Sequence, residues 1–199
     1  MEPCRIWIRV CQVVTIAVFL SQLGCANAAT LKIVALYKQS NQVAPDEIRP
    51  LLDEGATIDH WVKDGMCMLH IAARDDDRDM VKLLIDYGAD LEYEAYSTGH
   101  TPLHIATSYH RAEIVALLIA GGVDVNKPVQ FVPGPMRIYT ITPVMAAVLV
   151  EDASILKMLL EAGSDVNSTS GDMFDGNTPT MEAALRGRSD ILRMLLDSG

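Results

Sequence analysis

The chain has 199 residues, 50% of them hydrophobic and 21% charged, and its 16 Lys+Arg against 26 Asp+Glu give a formal net charge of −10. That apolar fraction excludes a wholly disordered polymer, and the length suits one domain or one array with a real core. The acidity argues against a nucleic-acid binder, which needs clustered Lys/Arg to release counterions from phosphates.

Residues 1–28 read as a leader rather than as fold. Arg5 and Arg9 precede the apolar run Val13-Val14-Thr15-Ile16-Ala17-Val18-Phe19-Leu20, which is too short for a membrane-spanning helix of about 20 residues. Ala26-Asn27-Ala28 is a small-x-small site, so a signal peptidase is expected to cut after Ala28. Gly24-Cys25 resembles the end of a bacterial lipobox, although Gln22 stands where an aliphatic residue belongs. Lipidation of Cys25 would be this chain's route to a membrane. Either processing delivers the protein beyond the inner membrane, to the periplasm ahead of the medium. Cys4, Cys11 and Cys25 leave with the leader, and the remaining Cys67, between Met66 and Met68, reads as a small buried hydrophobe.

From residue 29 onward the chain repeats itself. Leu51-Leu52-Asp53-Glu54-Gly55 recurs as Leu83-Leu84-Ile85-Asp86-Tyr87-Gly88, Leu117-Leu118-Ile119-Ala120-Gly121-Gly122, Leu159-Leu160-Glu161-Ala162-Gly163 and Leu195-Leu196-Asp197-Ser198-Gly199. Before three of these stand Thr101-Pro102-Leu103-His104-Ile105-Ala106, Thr142-Pro143-Val144-Met145-Ala146-Ala147 and Thr178-Pro179-Thr180-Met181-Glu182-Ala183. Thr is an N-cap and Pro a first helical residue, where a missing N–H costs nothing. A second, apolar-periodic helix follows, and Gly supplies its left-handed C-terminal cap. No such unit buries its apolar face alone, so neighbours must stack.

On these motifs residues 31–199 resemble ankyrin repeats. The resemblance implies an all-α repeat solenoid of about five helix-turn-helix units, roughly 31–62, 63–95, 96–128, 129–170 and 171–199. The fourth is longer by the Pro-rich stretch 127–140, read as an extended hairpin insertion carrying Phe131, Met136, Arg137 and Tyr139, residue types that anchor interfaces. The stretch could equally fold back on the array.

No nucleophile elbow, phosphate-cradling glycine loop or His-Glu-x-x-His motif is present, so no catalytic residue is assigned and no enzyme is expected. His70 and His104 occupy the repeat's own histidine position, where the ring bonds backbone. His100 is four residues from His104, but Pro102 intervenes and no metal site is expected. Asp75-Asp76-Asp77-Arg78-Asp79 lacks the central glycine and alternation of a calcium loop, and reads as a turn capping the next helix. Partner binding therefore falls to residues near repeat tips and first-helix edges: Trp61, Tyr93, Tyr96, His100, Tyr109, Phe131, Met136, Arg137, Tyr139 and Phe174.

Exported bacterial ankyrin proteins include ones that neutralise antibacterial effectors. The resemblance accordingly implies a cofactor-free periplasmic immunity protein, monomeric on its own, that binds a protein with a basic or cleft-containing surface. A periplasmic scaffold for catalase-linked peroxide defence is an alternative, as is an exported effector acting on a host protein.

Overall fold

The computed structural model describes residues 27–40, 42–96, 98–131, 139–169 and 176–199. Met136, Arg137 and Phe174 lie outside these residues, as do the leader's charged and apolar segments and Cys25. The chain divides into two compact units, Met1–Met68 and Leu69–Gly199.

In the first unit α1 (Ala28–Gln39) packs against α2 (Pro45–Asp53). Ile33, Tyr37, Ile48, Leu51 and Leu52 are buried there. The Asn27 side chain caps α1, accepting from the Thr30 N–H at 2.9 Å, and its amide donates to the carbonyl of Gly55. α2 ends as its Leu-Leu-x-x-Gly sequence dictates. Gly55 takes a φ of +85°, and the Gly55 and Ala56 N–H groups close on the carbonyls of Leu52 and Leu51. Cys67 is fully buried, as a small hydrophobe should be.

α3 (Met68–Asp75) begins on the last residue of the first unit and otherwise belongs to the second, which then holds α4 (Arg78–Asp86), α5 (Pro102–Ser108) and α6 (Ala112–Ala120). Strands β1 (Val129–Phe131) and β2 (Tyr139–Ile141) follow, and then α7 (Pro143–Leu149), α8 (Ala153–Glu161), α9 (Pro179–Leu185) and α10 (Ser189–Ser198). The first helices stack as α5, α7 and α9, the second helices as α4, α6, α8 and α10, and the pairs α5/α6, α7/α8 and α9/α10 join the two layers. Two rows of apolar residues four apart fill the second layer: Met80, Ile114, Ile155 and Ile191 in one, Leu84, Leu118, Leu159 and Leu195 in the other, all buried. Leu195 therefore faces inward, and the second helix of the final copy exposes Leu196 instead.

The Thr-Pro starts fold as their chemistry requires, with one local variation. Thr142 and Thr178 cap the backbone N–H of Met145 and Met181. In α5 the residue at that position is His104, and the Thr101 hydroxyl turns to its Nδ1 at 2.8 Å instead. The aspartate run forms the expected turn into α4, with Asp77 accepting from the Met80 N–H at 2.9 Å and Asp79 in the helix's first turn.

Candidate partner-binding surfaces

The tip between α4 and α5 is built around one carbonyl. His100 O accepts from the Ala95 N–H at 2.9 Å and from His70 Nε2 at 3.0 Å, while Gly99 N–H closes back on Ala95 O at 2.7 Å. Ala95 is buried, and Tyr96 is carried out at the apex with 77% of its surface exposed. Tyr93, half-buried at the base of this tip, meets the His70 ring edge-on with centroids 6.3 Å apart. Lys127 grips the same tip from the next copy, donating to Glu92 O at 2.6 Å and pairing with Glu94 at 3.5 Å.

Every residue of α5 from Pro102 to Thr107 is buried, as is every residue of α7 from Pro143 to Val148. The free surface of α5 and α7 is thus confined to their ends and the adjoining tips. Tyr109, 51% exposed, directly follows α5, so two exposed tyrosines bracket a helix about 10 Å long. His100 lies between them in sequence, half-buried, with its ring stacked on that of His104 at 6.1 Å. In the first unit Trp61, 46% exposed, begins a separate tip closed by the Val62 N–H to Met66 O bond at 2.9 Å.

The long stretch before α7 forms an antiparallel ladder, with Val129 opposite Ile141 and Phe131 opposite Tyr139. Both of its strands are tethered to the preceding copy. His104 Nε2 lies 3.0 Å from Ile141 O, and Gly99 approaches Gln130 so closely that a Cβ there would lie 2.6 Å from the carbonyl oxygen. Phe131 and Tyr139 are therefore placed by backbone pairing opposite each other at one end of this ladder.

Burial governs the histidines. It lowers His70 to about 4 and His104 to about 3, the latter pushed further by neighbouring His100 and Lys127, while backbone hydrogen bonds only partly oppose it. His100 is lowered for the same reason. These rings are neutral at pH 7, and those of His70 and His104 are committed to backbone carbonyls. Among the described residues no three His, Cys, Asp or Glu side chains converge to hold a metal, and no helix is long and apolar enough to cross a membrane.

The family model for ankyrin repeats in three copies matches residues 33–129, and the single ankyrin repeat matches residues 141–171 and 175–199. The chain belongs to the ankyrin-repeat family. It is 30% identical over 135 residues to a fowlpox virus ankyrin repeat protein, covering 68% of this chain and 28% of that one. It is also 30% identical to the nuclear factor NF-kappa-B p105 subunit of Gallus gallus, over 76% of this chain and 15% of the relative. A third relative, the B-cell lymphoma 3 protein homolog of Mus musculus, is 28% identical over 78% of this chain and 33% of its own length. The chain thus spans a third or less of the relatives it matches. Ankyrin arrays are protein–protein interaction modules, and this chain is one.

Sequence reasoning placed Trp61, Tyr96, Tyr109 and Leu185 at the surface and missed Met181 and Leu196. Met181, 55% exposed, and Leu185 stand open on α9, with Leu196 open on α10. The signal was available in register: Met181 aligns with Met145, which is fully buried in a helix covered by α9, whereas α9 and α10 are the last elements among the described residues. Glu182 was missed as well. It is a buried carboxylate at a position held by Ile105 and Ala146 in earlier copies, satisfied by Arg186 Nε at 2.7 Å.

Proposed function

We propose that this chain is an exported, non-catalytic binder of the bacterial periplasm that holds and neutralises a partner protein such as an antibacterial effector, using five repeats with the β1–β2 insertion in the fourth. The observation that carries the reading is the contrast within the first-helix layer. α5 and α7 are sealed, and the large side chains left open beside α5 are Tyr96 and Tyr109. Tyrosine presents a large amphipathic area with little rotamer entropy to lose, which suits an interface anchor. Exposed Glu94 lies on the tip that carries Tyr96, and exposed Asp75 at the helix end one copy earlier, where they favour a partner with a basic patch. The leader pattern of residues 1–28 supports export.

The test is capture from envelope extract by the purified chain and by its Trp61→Ala, Tyr96→Ala, Tyr109→Ala variant, followed by assay of the captured protein's activity. We expect the wild type alone to retain one dominant partner and to suppress its activity. Equal capture by the variant, or a captured enzyme that stays fully active, would refute the reading.

A further inference from the structure

The open face of α9 and α10 keeps the side chains of a stacking surface. Met181 and Leu185 lie four residues apart on α9, and Leu192 and Leu196 four apart on α10, so each pair shares one side of its helix. Their counterparts one copy earlier are Met145, Leu149, Leu156 and Leu160, on the helices that α9 and α10 pack against. Met145 and Leu156 are fully buried, and Leu149 and Leu160 half-buried. Met181, Leu185 and Leu196 are instead 55%, 73% and 62% exposed, and Leu192 is half-buried. A joined apolar patch of this kind marks an interaction site.

We propose that a second copy of this chain docks on this face, the two copies related by a two-fold axis with their α10 helices antiparallel. The charges select this occupant. Residues 179–199 hold Arg186, Arg188 and Arg193 against Glu182, Asp190 and Asp197, a local net of zero in a chain of −10. Two copies therefore meet here without the repulsion that their acidity imposes elsewhere. Arg186 and Arg188 are already engaged by Glu182, Glu151 and Asp190. Arg193 and Asp197 are exposed and make no ion pair among the described residues. They stand four residues apart, with Leu196 beside them on the same side of α10. A wholly acidic or wholly basic partner surface would oppose one of the two. The two-fold crossing satisfies both, because Arg193 of each copy meets the partner's Asp197. Helices of seven and ten residues give a face of about 10–15 Å by 20 Å, small for an interface. The dimer is accordingly weak, and the dilute chain is a monomer.

Sedimentation of the purified chain, followed over a concentration series reaching about 1 mM, tests this. The weight-average mass should rise from one chain toward two and stop there. Leu185→Asp with Leu196→Asp should remain a monomer throughout and melt as the wild type does, since both positions are exposed. Arg193→Asp alone and Asp197→Arg alone should each weaken the dimer by about tenfold or more. The two single variants mixed, or both changes in one chain, should restore it. A monomer at every concentration would overturn the proposal, as would assemblies larger than two or single charge reversals without effect. Capture of a different protein that Leu185→Asp with Leu196→Asp abolishes, with no self-association of the wild type, would give the face to that protein and overturn the dimer.

Discussion

The Nε2 of His104 lies 3.0 Å from the carbonyl oxygen of Ile141, joining the first helix of one copy to the strand that leads into the next. A carbonyl only accepts, so Nε2 carries the proton and Nδ1 accepts from the Thr101 hydroxyl. His70 makes the corresponding bond to His100 O. Both rings are held neutral by burial, near 4 and 3 against 6.5 when unfolded. Between those values the unfolded chain binds more protons than the folded one. Stability is therefore fully present above pH 6.5 and falls as the pH drops below it, by about 1.4 kcal/mol per pH unit for each histidine.

We expect the urea midpoint to fall clearly between pH 7.5 and pH 5, with a shallower fall in His104→Asn. The Asp152 carboxyl cannot produce this loss. Burial tends to raise it, but hydrogen bonds from Ser154, His110 and the Ile155 N–H outweigh that and hold it below the ordinary carboxylate value, so its contribution is lost only at lower pH. Equal midpoints at the two pH values would contradict the neutral-histidine account.

Thr107 is fully buried and its hydroxyl has no hydrogen-bond partner among the described residues. Val148 occupies the aligned position of α7 and is equally buried. Thr107→Val removes an unsatisfied polar group at nearly constant volume, so a gain of about 1 kcal/mol is expected, read as a higher denaturation midpoint. A lower midpoint would mean that the hydroxyl is satisfied.

Asn126 reaches across copies with both ends of its amide, donating to Gly163 O at 3.2 Å and accepting from the Asp165 N–H at 2.7 Å. Asn27 makes the corresponding donation to Gly55 O within the first unit. Asn126→Ala should cost about 1–2 kcal/mol. Hydrogen exchange should show faster exchange at the Asp165 amide, and unchanged exchange there would remove the amide from its bridging role.

Gly99 and Gly122 both have positive φ, +70° and +88°, but only at Gly99 does a Cβ meet backbone. Gly122→Ala should cost about 1–2 kcal/mol for the left-handed conformation alone. Gly99→Ala should cost more, because the Gln130 carbonyl must also move and the β1–β2 ladder with it. Equal losses in a denaturation series would show that the ladder does not rest on this approach.

The helices were legible because their signals are local. Thr-Pro starts, Asp77 before α4 and Gly at each second-helix end specify caps whatever lies beyond. The side-chain environment was legible only where stacking repeats. Met145 and Met181 share the same Thr-Pro context, yet one is buried and the other open, because the difference lies in the neighbour and not in the segment. The same holds for the final second helix, where Leu195 is buried and Leu196, one residue round the helix, is open. The strand pairing of Phe131 with Tyr139 was foreseen only as a longer hairpin, since its register depends on Gly99 and His104 in the copy before.

The most direct measurement is a calorimetric titration of the captured partner with wild type, Tyr96→Ala and Tyr109→Ala, alongside thermal melts of each. Both tyrosines are exposed, so the melts should coincide. Each truncation should weaken binding by about tenfold or more, as removal of an interface anchor does. Unchanged affinity in both variants, with wild-type melting, would contradict the assignment of the partner to this edge of α5.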